Sequence, residues 1–176
     1  MQAFIEPDGQ GTVIGLLQRV ASARVTANGA QAGAIGSGIL VLVGIEKGDE
    51  RSTADRLLER LLGYRVFADA DGKMNLSVRD VAGGVLLVPQ FTLVADTTKG
   101  MRPSFSSGAT PEHGSMMFQY LAEQARSRHP NVHCGVFGAE MEVTLTNDGP
   151  VTFWLRVAPA SPKARGDRVA ASNPES

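Results

Sequence analysis

Apolar residues recur along the chain in three rhythms, and each predicts a different element. The first is the unbroken run. Ile39-Leu40-Val41-Leu42-Val43 and Val85-Leu86-Leu87-Val88 have no polar face, as expected of strands covered on both sides. The second is the helical repeat. Ala54, Leu57, Leu58, Leu61 and Leu62 put one apolar stripe on a helix. Ser52-Thr53-Ala54-Asp55 reads as its capping box and Gly63 as its end. Thr110-Pro111 starts a second helix with Met117, Phe118, Leu121 and Ala125 on its inner face. The third is strict alternation: Met141, Val143 and Leu145 against Glu142, Thr144 and Thr146 predict a half-buried strand.

Turn chemistry separates these elements. Asn28-Gly29 is a strong hairpin signal after an early strand through Val20 and Ala23 to Thr26. Gly36 to Gly38 and Asp71-Gly72 mark further turns. Asp148-Gly149-Pro150 reads as a turn into a last strand, Val151 to Val157. Two or three strands, then strand and helix twice, then two or three strands imply a mixed α/β fold with helices on one side of stacked sheets. A chain of 176 residues suits one domain. Residues 14–157 are the expected folded unit. Residues 1–13 read as a flexible N-terminal extension, and 158–176, rich in Ala, Pro, Ser and Arg, as a disordered tail.

Charge and composition then narrow the partners. The net charge is −1, and between Ile14 and Val157 cationic and acidic side chains are equal in number. Any nucleic-acid contact must therefore be local, over a few phosphates. The longest apolar stretch, Ile39 to Ile45, is too short to cross a membrane. A single cysteine, Cys134, allows no internal disulfide, and no secretory leader is recognisable, so the expected compartment is the cytoplasm.

Conventional catalytic groups are scarce. Metal-binding spacings, a nucleophile elbow and a phosphate loop are all missing. His113 and His129 are expected at the surface. His133 and Cys134 are adjacent on a strand and so point to opposite faces. Three segments stand out instead: Pro89-Gln90-Phe91-Thr92-Leu93, Gly100-Met101-Arg102-Pro103-Ser104-Phe105 and Asn147-Asp148-Gly149-Pro150-Val151-Thr152. Their plain readings are a strand end, a structured loop and a hairpin turn.

Taken together, the Gln-Phe-Thr-Leu and Asn-x-Gly-Pro-x-Thr motifs resemble the D-aminoacyl-tRNA deacylase family, formerly described as D-tyrosyl-tRNA deacylases. Leu17-Gln18-Arg19-Val20, Gly63-Tyr64-Arg65-Val66-Phe67 and Gly72-Lys73-Met74-Asn75 add to the resemblance, which covers nearly all of 14–157. It implies a partly closed barrel with helices on one side. It also implies a cytoplasmic homodimer that hydrolyses D-aminoacyl-tRNA, and glycine mischarged on tRNA(Ala), with no cofactor or metal. The partner is the tRNA 3′ end, with no membrane and no DNA. Gln90, Phe91 and Thr92 would be the catalytic residues, their backbone N–H groups forming an oxyanion hole while the substrate's ribose 2′-OH assists. Thr92 looks like a nucleophile by type, but an unassisted threonine is a weak one. Gly149 and Pro150, joined by a cis bond, would reach into the partner's site and exclude L side chains. Met101 and Arg102 would support that turn. Lys99 and Arg65 are candidate phosphate contacts, while Phe153 and Trp154 are expected in the core or the dimer contact.

One departure is Pro89, where the family usually has serine. Proline removes an N–H beside the pocket and suggests that the strand is unpaired there. Three other readings compete: a non-catalytic module for tRNA 3′ ends, a small-ester hydrolase dependent on Cys134 or Thr92, and a structural protein.

Overall fold

Strand β1 (Val13–Ala27) organises the sheet, because it is long enough to serve several partners at once. The computed structural model describes residues 12–158 of the chain. The N-terminal half of β1 pairs antiparallel with β3 (Gly38–Gly44) and its C-terminal half with β2 (Ala30–Ile35). The opposite edge of β1 pairs along its length with β8 (Met141–Val157). Strand β6 (Gly84–Pro89) lies parallel to β3, and β7 (Val132–Cys134) parallel to β6. Helix α1 (Arg51–Gly63) falls between β3 and β6, and α2 (Pro111–Arg128) between β6 and β7. A small hairpin, β4 (Phe67–Ala68) and β5 (Met74–Leu76), follows α1. The result is the expected mixed α/β domain: a nearly closed, barrel-like sheet with two helices packed against it.

The unbroken apolar runs are explained by two cores. Ile39, Val41, Val43, Val85 and Leu87 face the helices and pack with Leu57, Leu58, Leu61, Met117 and Leu121. The intervening Leu40, Leu86 and Val88 face the barrel interior with Val20, Val25 and Ile35. Each such side chain removed from water contributes roughly 1.5–3 kcal/mol. The two parallel strands approach so closely at their start that a Cβ on Gly38 would lie 2.0 Å from the Gly84 carbonyl oxygen.

Several local expectations change. The cap of α1 is Glu50, not Ser52: the Glu50 N–H donates to Thr53 Oγ1 at 3.5 Å, because the helix begins at Arg51. Val13, assigned to the flexible extension, already stands in β1 and is 1% exposed, since β8 and the core cover it. The rest of the extension and the tail lie outside the described residues, except for Thr12 and Ala158.

Asp148-Gly149-Pro150 is not a hairpin turn. Gln18 faces Thr152 and Val20 faces Asn147, and β8 keeps its direction on both sides. Residues 148–151 therefore form a large bulge opposite Arg19 alone, and its Gly149-Pro150 bond is cis. Local turn residues mark both structures equally well. Only the pairing with β1 distinguishes them.

Candidate functional site

The end of β6 opens onto a cavity of about 530 Å³, within the range of small-molecule sites. Val88, Pro89, Gln90 and Phe91 form one wall, Ala109 and Pro111 another. Phe137, Ala139, Met141 and Val143 complete it. Sequence reading found the first wall and missed the others. Met141 and Val143 were legible as the inward side of a strand, but nothing local shows that this side faces a cavity.

Pro89 does not leave β6 unpaired. It stands beside Val43 of β3, and Gln90 N–H donates to the Val43 carbonyl at 2.7 Å. In a parallel ladder, alternate residues direct their N–H groups to opposite neighbours. Leu87 accepts from Gly135 on the β7 side, so the missing N–H of Pro89 also points that way. The pairing with β7 has ended by then, at Cys134. The substitution therefore costs no ladder bond with β3.

After Gln90 the chain turns into a single 3₁₀ turn, Phe91–Val94. The first N–H groups of such a turn have no partner within it. Gln90, Leu93 and Ala95 N–H groups all find backbone acceptors. Among the described residues, no backbone acceptor meets the N–H groups of Phe91 or Thr92. Both donors thus stand free, that of Phe91, which is 66% exposed, on a residue that lines the cavity and that of Thr92 on the residue after it. The Thr92 hydroxyl accepts a hydrogen bond from Gln90 Nε2. No imidazole or carboxylate hydrogen-bonds to it among the described residues, so nothing there removes its proton.

Other titratable groups serve structure. His113 Nε2 bonds the Asp49 carbonyl at 2.9 Å. His129, expected at the surface, is buried, its Nε2 2.7 Å from the Gly83 carbonyl. The loop before β6 folds over it, which periodicity does not reveal. His133 is exposed, and burial pushes the Cys134 thiol up from its ordinary value. A raised thiol is a poor nucleophile near neutral pH. No cluster of His, Cys, Asp and Glu suited to a metal occurs among the described residues.

Gly149 and Pro150 are not among the residues that line the cavity. Arg19, which faces their bulge, pairs with Ile39 of β3. The cavity end of β6 stands level with Val43, Gly15 and Leu155. Arg19 anchors the bulge, a role the sequence did not signal. Its Nε lies 3.0 Å from Asp148 Oδ2 and donates to the Asp148 carbonyl at 3.1 Å. Its Nη1 donates to the Val66 carbonyl at 2.6 Å. Asn147 Oδ1 accepts from Val151 N–H at 3.0 Å and closes the bulge on itself. Met101 is fully exposed, and Arg102 is exposed beside it. Lys99 and Arg65 are also exposed. Phe153 is half-buried, edge-on to Tyr64 at 5.3 Å, whereas Trp154 is 52% exposed.

A buried carboxylate lies in the loop between β3 and α1. Asp49 is 1% exposed and accepts from Glu46 N–H at 2.7 Å through Oδ2, while Oδ1 has no partner among the described residues. Burial raises its pKa from the ordinary 3.8 to about 7, and the nearby Glu46 carboxylate adds to this against the Glu46 N–H and Arg156. A carboxyl raised by folding favours the native state fully below its unfolded value, and that favour is lost as pH rises through the folded value. Asp49→Asn should therefore raise the stability by up to about 4 kcal/mol at pH 8. The gain should vanish by about pH 4. Urea titrations at both pH values check this, and an equal effect at both would contradict it.

A family model described as D-Tyr-tRNA(Tyr) deacylase matches residues 16–156. The chain is 60% identical over 147 residues to a D-aminoacyl-tRNA deacylase of Janthinobacterium sp. (strain Marseille), covering 84% of this chain and 99% of that one. Among solved structures, a protein described as c-Myc DNA Unwinding Element Binding Protein matches with a TM-score of 0.77 at 38% identity. That match covers 81% of this chain and 97% of the other. A second, described as a "probable eukaryotic D-amino acid tRNA deacylase", shares the fold with a TM-score of 0.74 at 15% identity. It covers 82% of this chain and 99% of the other.

Proposed function

Because the chain belongs to the D-Tyr-tRNA(Tyr) deacylase family, we propose that it is a hydrolase cleaving the ester bond of D-aminoacyl-tRNA to free D-amino acid and tRNA. The observation that carries the mechanism is the pair of unpartnered N–H groups on Phe91, which lines the cavity, and on Thr92, which follows it. The aminoacyl ester and terminal adenosine occupy the cavity, with the ester carbonyl beside these donors. Water attacks that carbonyl, and negative charge grows on its oxygen. Donors already aimed at that position need no rearrangement as the charge develops. The ribose 2′-OH next to the ester orients the water, which accounts for catalysis without a histidine base. Gln90 holds the Thr92 side chain in place.

Chiral selection requires a second copy. The Gly149-Pro150 bulge is not among the residues lining the cavity of its own chain, which supports its serving a site in a partner. Strand β8 supports this reading, because one of its edges has no strand partner among the described residues. An edge of this length invites pairing with another chain. In the homodimer, the partner's bulge closes the cavity, and the loop carrying Met101 and Arg102 stands beside it. Carbonyl oxygens of the bulge receive the substrate ammonium, and its bulk occupies the space an L side chain needs. Exclusion by volume admits D residues of many kinds and does not reject glycine, so glycine mischarged on tRNA(Ala) is also removed. The site uses no cofactor, its substrate is the tRNA 3′ end in preference to DNA, and its compartment is the cytoplasm.

Deacylation of matched D- and L-tyrosyl-tRNA, with glycyl-tRNA alongside, tests the whole reading. Rapid loss of the D and glycyl esters with the L ester spared is the expected result. No hydrolysis of any would leave a binding module, and equal hydrolysis of D and L would remove the chiral role of the bulge.

A further inference from the structure

Phe91 does not end the apolar surface at the cavity's lip. Its ring stands 5.2 Å from that of Phe105, tilted by 52°, and Phe105 is itself 42% exposed. Large aromatic rings are usually covered in a folded protein. Here the surrounding loop holds the second ring out beside the first. Asp96 and Ser104 exchange backbone hydrogen bonds of 2.8 and 2.9 Å across that loop. Ser107 Oγ donates to the Val94 carbonyl at 2.6 Å, and Gly108 N–H to the Phe105 carbonyl at 3.1 Å. The position of Phe105 is therefore built in.

The loop beside the pair carries a net positive charge of one. Between Asp96 and Gly108 the cations are Lys99 and Arg102, both exposed. The one carboxylate of the stretch, Asp96, accepts from the N–H and hydroxyl of Thr98 at 2.9 and 2.7 Å and stays ionised, its pKa lowered chiefly by Thr98 and in part by Lys99, which leaves Arg102 as the cation it does not offset. A rigid pair of half-exposed rings on a cationic loop is the arrangement that binds single-stranded nucleic acid, with bases on the rings and phosphates on the cations.

We propose that Phe105, backed by Phe91, is a stacking platform for the nucleotide that precedes the terminal adenosine of the tRNA, with Lys99 meeting the phosphate between them. This rests on the tRNA deacylase reading and extends it from the cavity to the strand leaving it. The cavity accommodates the last nucleoside and its amino acid. The rest of the single strand must leave over the lip, where the rings stand. The platform is indifferent to base identity, because every base offers a face.

The test compares two substrates. One is full-length D-tyrosyl-tRNA. The other is 3′-D-tyrosyl-adenosine, which has the ester and adenosine but no preceding nucleotide. Phe105→Ala should lower kcat/KM for the tRNA about tenfold. It should change that for the adenosine ester less than about twofold, since the lost contact is one this substrate never makes. Phe105→Trp should retain the tRNA rate, and Phe105→Leu should not, although leucine preserves apolar bulk.

Equal losses on both substrates would overturn the proposal and assign Phe105 to supporting Phe91. Equal losses with a fall in mass by light scattering would instead make it a contact between subunits. Unchanged rates on both would also overturn it. If wild-type protein hydrolyses neither substrate, the deacylase reading fails. Binding of the trinucleotide cytidyl-cytidyl-adenosine and of adenosine then decides the platform separately. A Phe105→Ala loss confined to the trinucleotide supports it, and no loss overturns it.

Discussion

Thr92→Pro should lower kcat for D-tyrosyl-tRNA by about 10²–10³-fold, while Thr92→Ala should retain activity within about threefold. The two variants separate hydroxyl from backbone. Alanine deletes the hydroxyl that Gln90 Nε2 meets and keeps the N–H. Proline deletes the N–H as well. That N–H has no acceptor among the described residues, so its loss breaks no native hydrogen bond and leaves no orphaned partner. The position is near the start of a 3₁₀ turn on an exposed segment, where proline's fixed φ is tolerated better than further in. Circular dichroism and light scattering should match the wild type and so exclude unfolding. A deep loss in Thr92→Ala would make the hydroxyl the nucleophile and overturn the substrate-assisted route. An active Thr92→Pro would remove the oxyanion role of this donor.

Gly149→Ala is the second large effect, and it should act on selectivity as well as rate. Gly149 has φ +131°, a region that L side chains rarely adopt. A Cβ there would lie 2.7 Å from Val151 Cγ2 and 2.9 Å from Val151 N. It would also lie 3.1 Å from Arg19 Nη2. Two of these contacts belong to the bulge and the third to its anchor, so none yields without moving the bulge itself. If the bulge shapes a partner's cavity, a displacement of about 1 Å costs about 10²-fold in the rate for the D ester. The ratio of D to L hydrolysis should fall with it. Gly63→Ala is the control, because a Cβ there meets nothing within 4 Å. Assays with both tyrosyl enantiomers check the pair. A Gly149→Ala enzyme as selective as wild type would take the chiral role away from this segment.

Much of the fold was legible because burial has a local signature. The runs 39–43 and 85–88 could not be exposed on either side, and the structure puts alternate residues of each into two separate cores. The stripe from Ala54 to Leu62 fits a helix, and α1 buries all five of its residues. The cap differs because Ser52 is the better N-cap by residue type, while the helix begins at Arg51 with Glu50 as its cap and Thr53 closing the capping box. Gln90, Phe91 and Thr92 were legible only as a motif. That two of their N–H groups stand free is a consequence of the turn the chain makes beyond Pro89.

The sequence by itself determined which residues must leave water and with what period, since the pattern of a strand or helix depends only on its own backbone geometry. It therefore determined the elements, their order and the layering of helices on a sheet. It also carried the motifs that place the chain in its family. Tertiary structure alone decided what each element faces. Whether 148–151 reverses the chain or bulges from it depends on the pairing of its flanks with Gln18 and Val20 and on the Arg19 side chain, all more than a hundred residues away. The tolerance of Pro89 depends on where β7 stops. The cavity exists because segments far apart in the chain converge on the end of β6. Such contacts are set by the packing of whole layers, a non-local balance that no window of sequence contains.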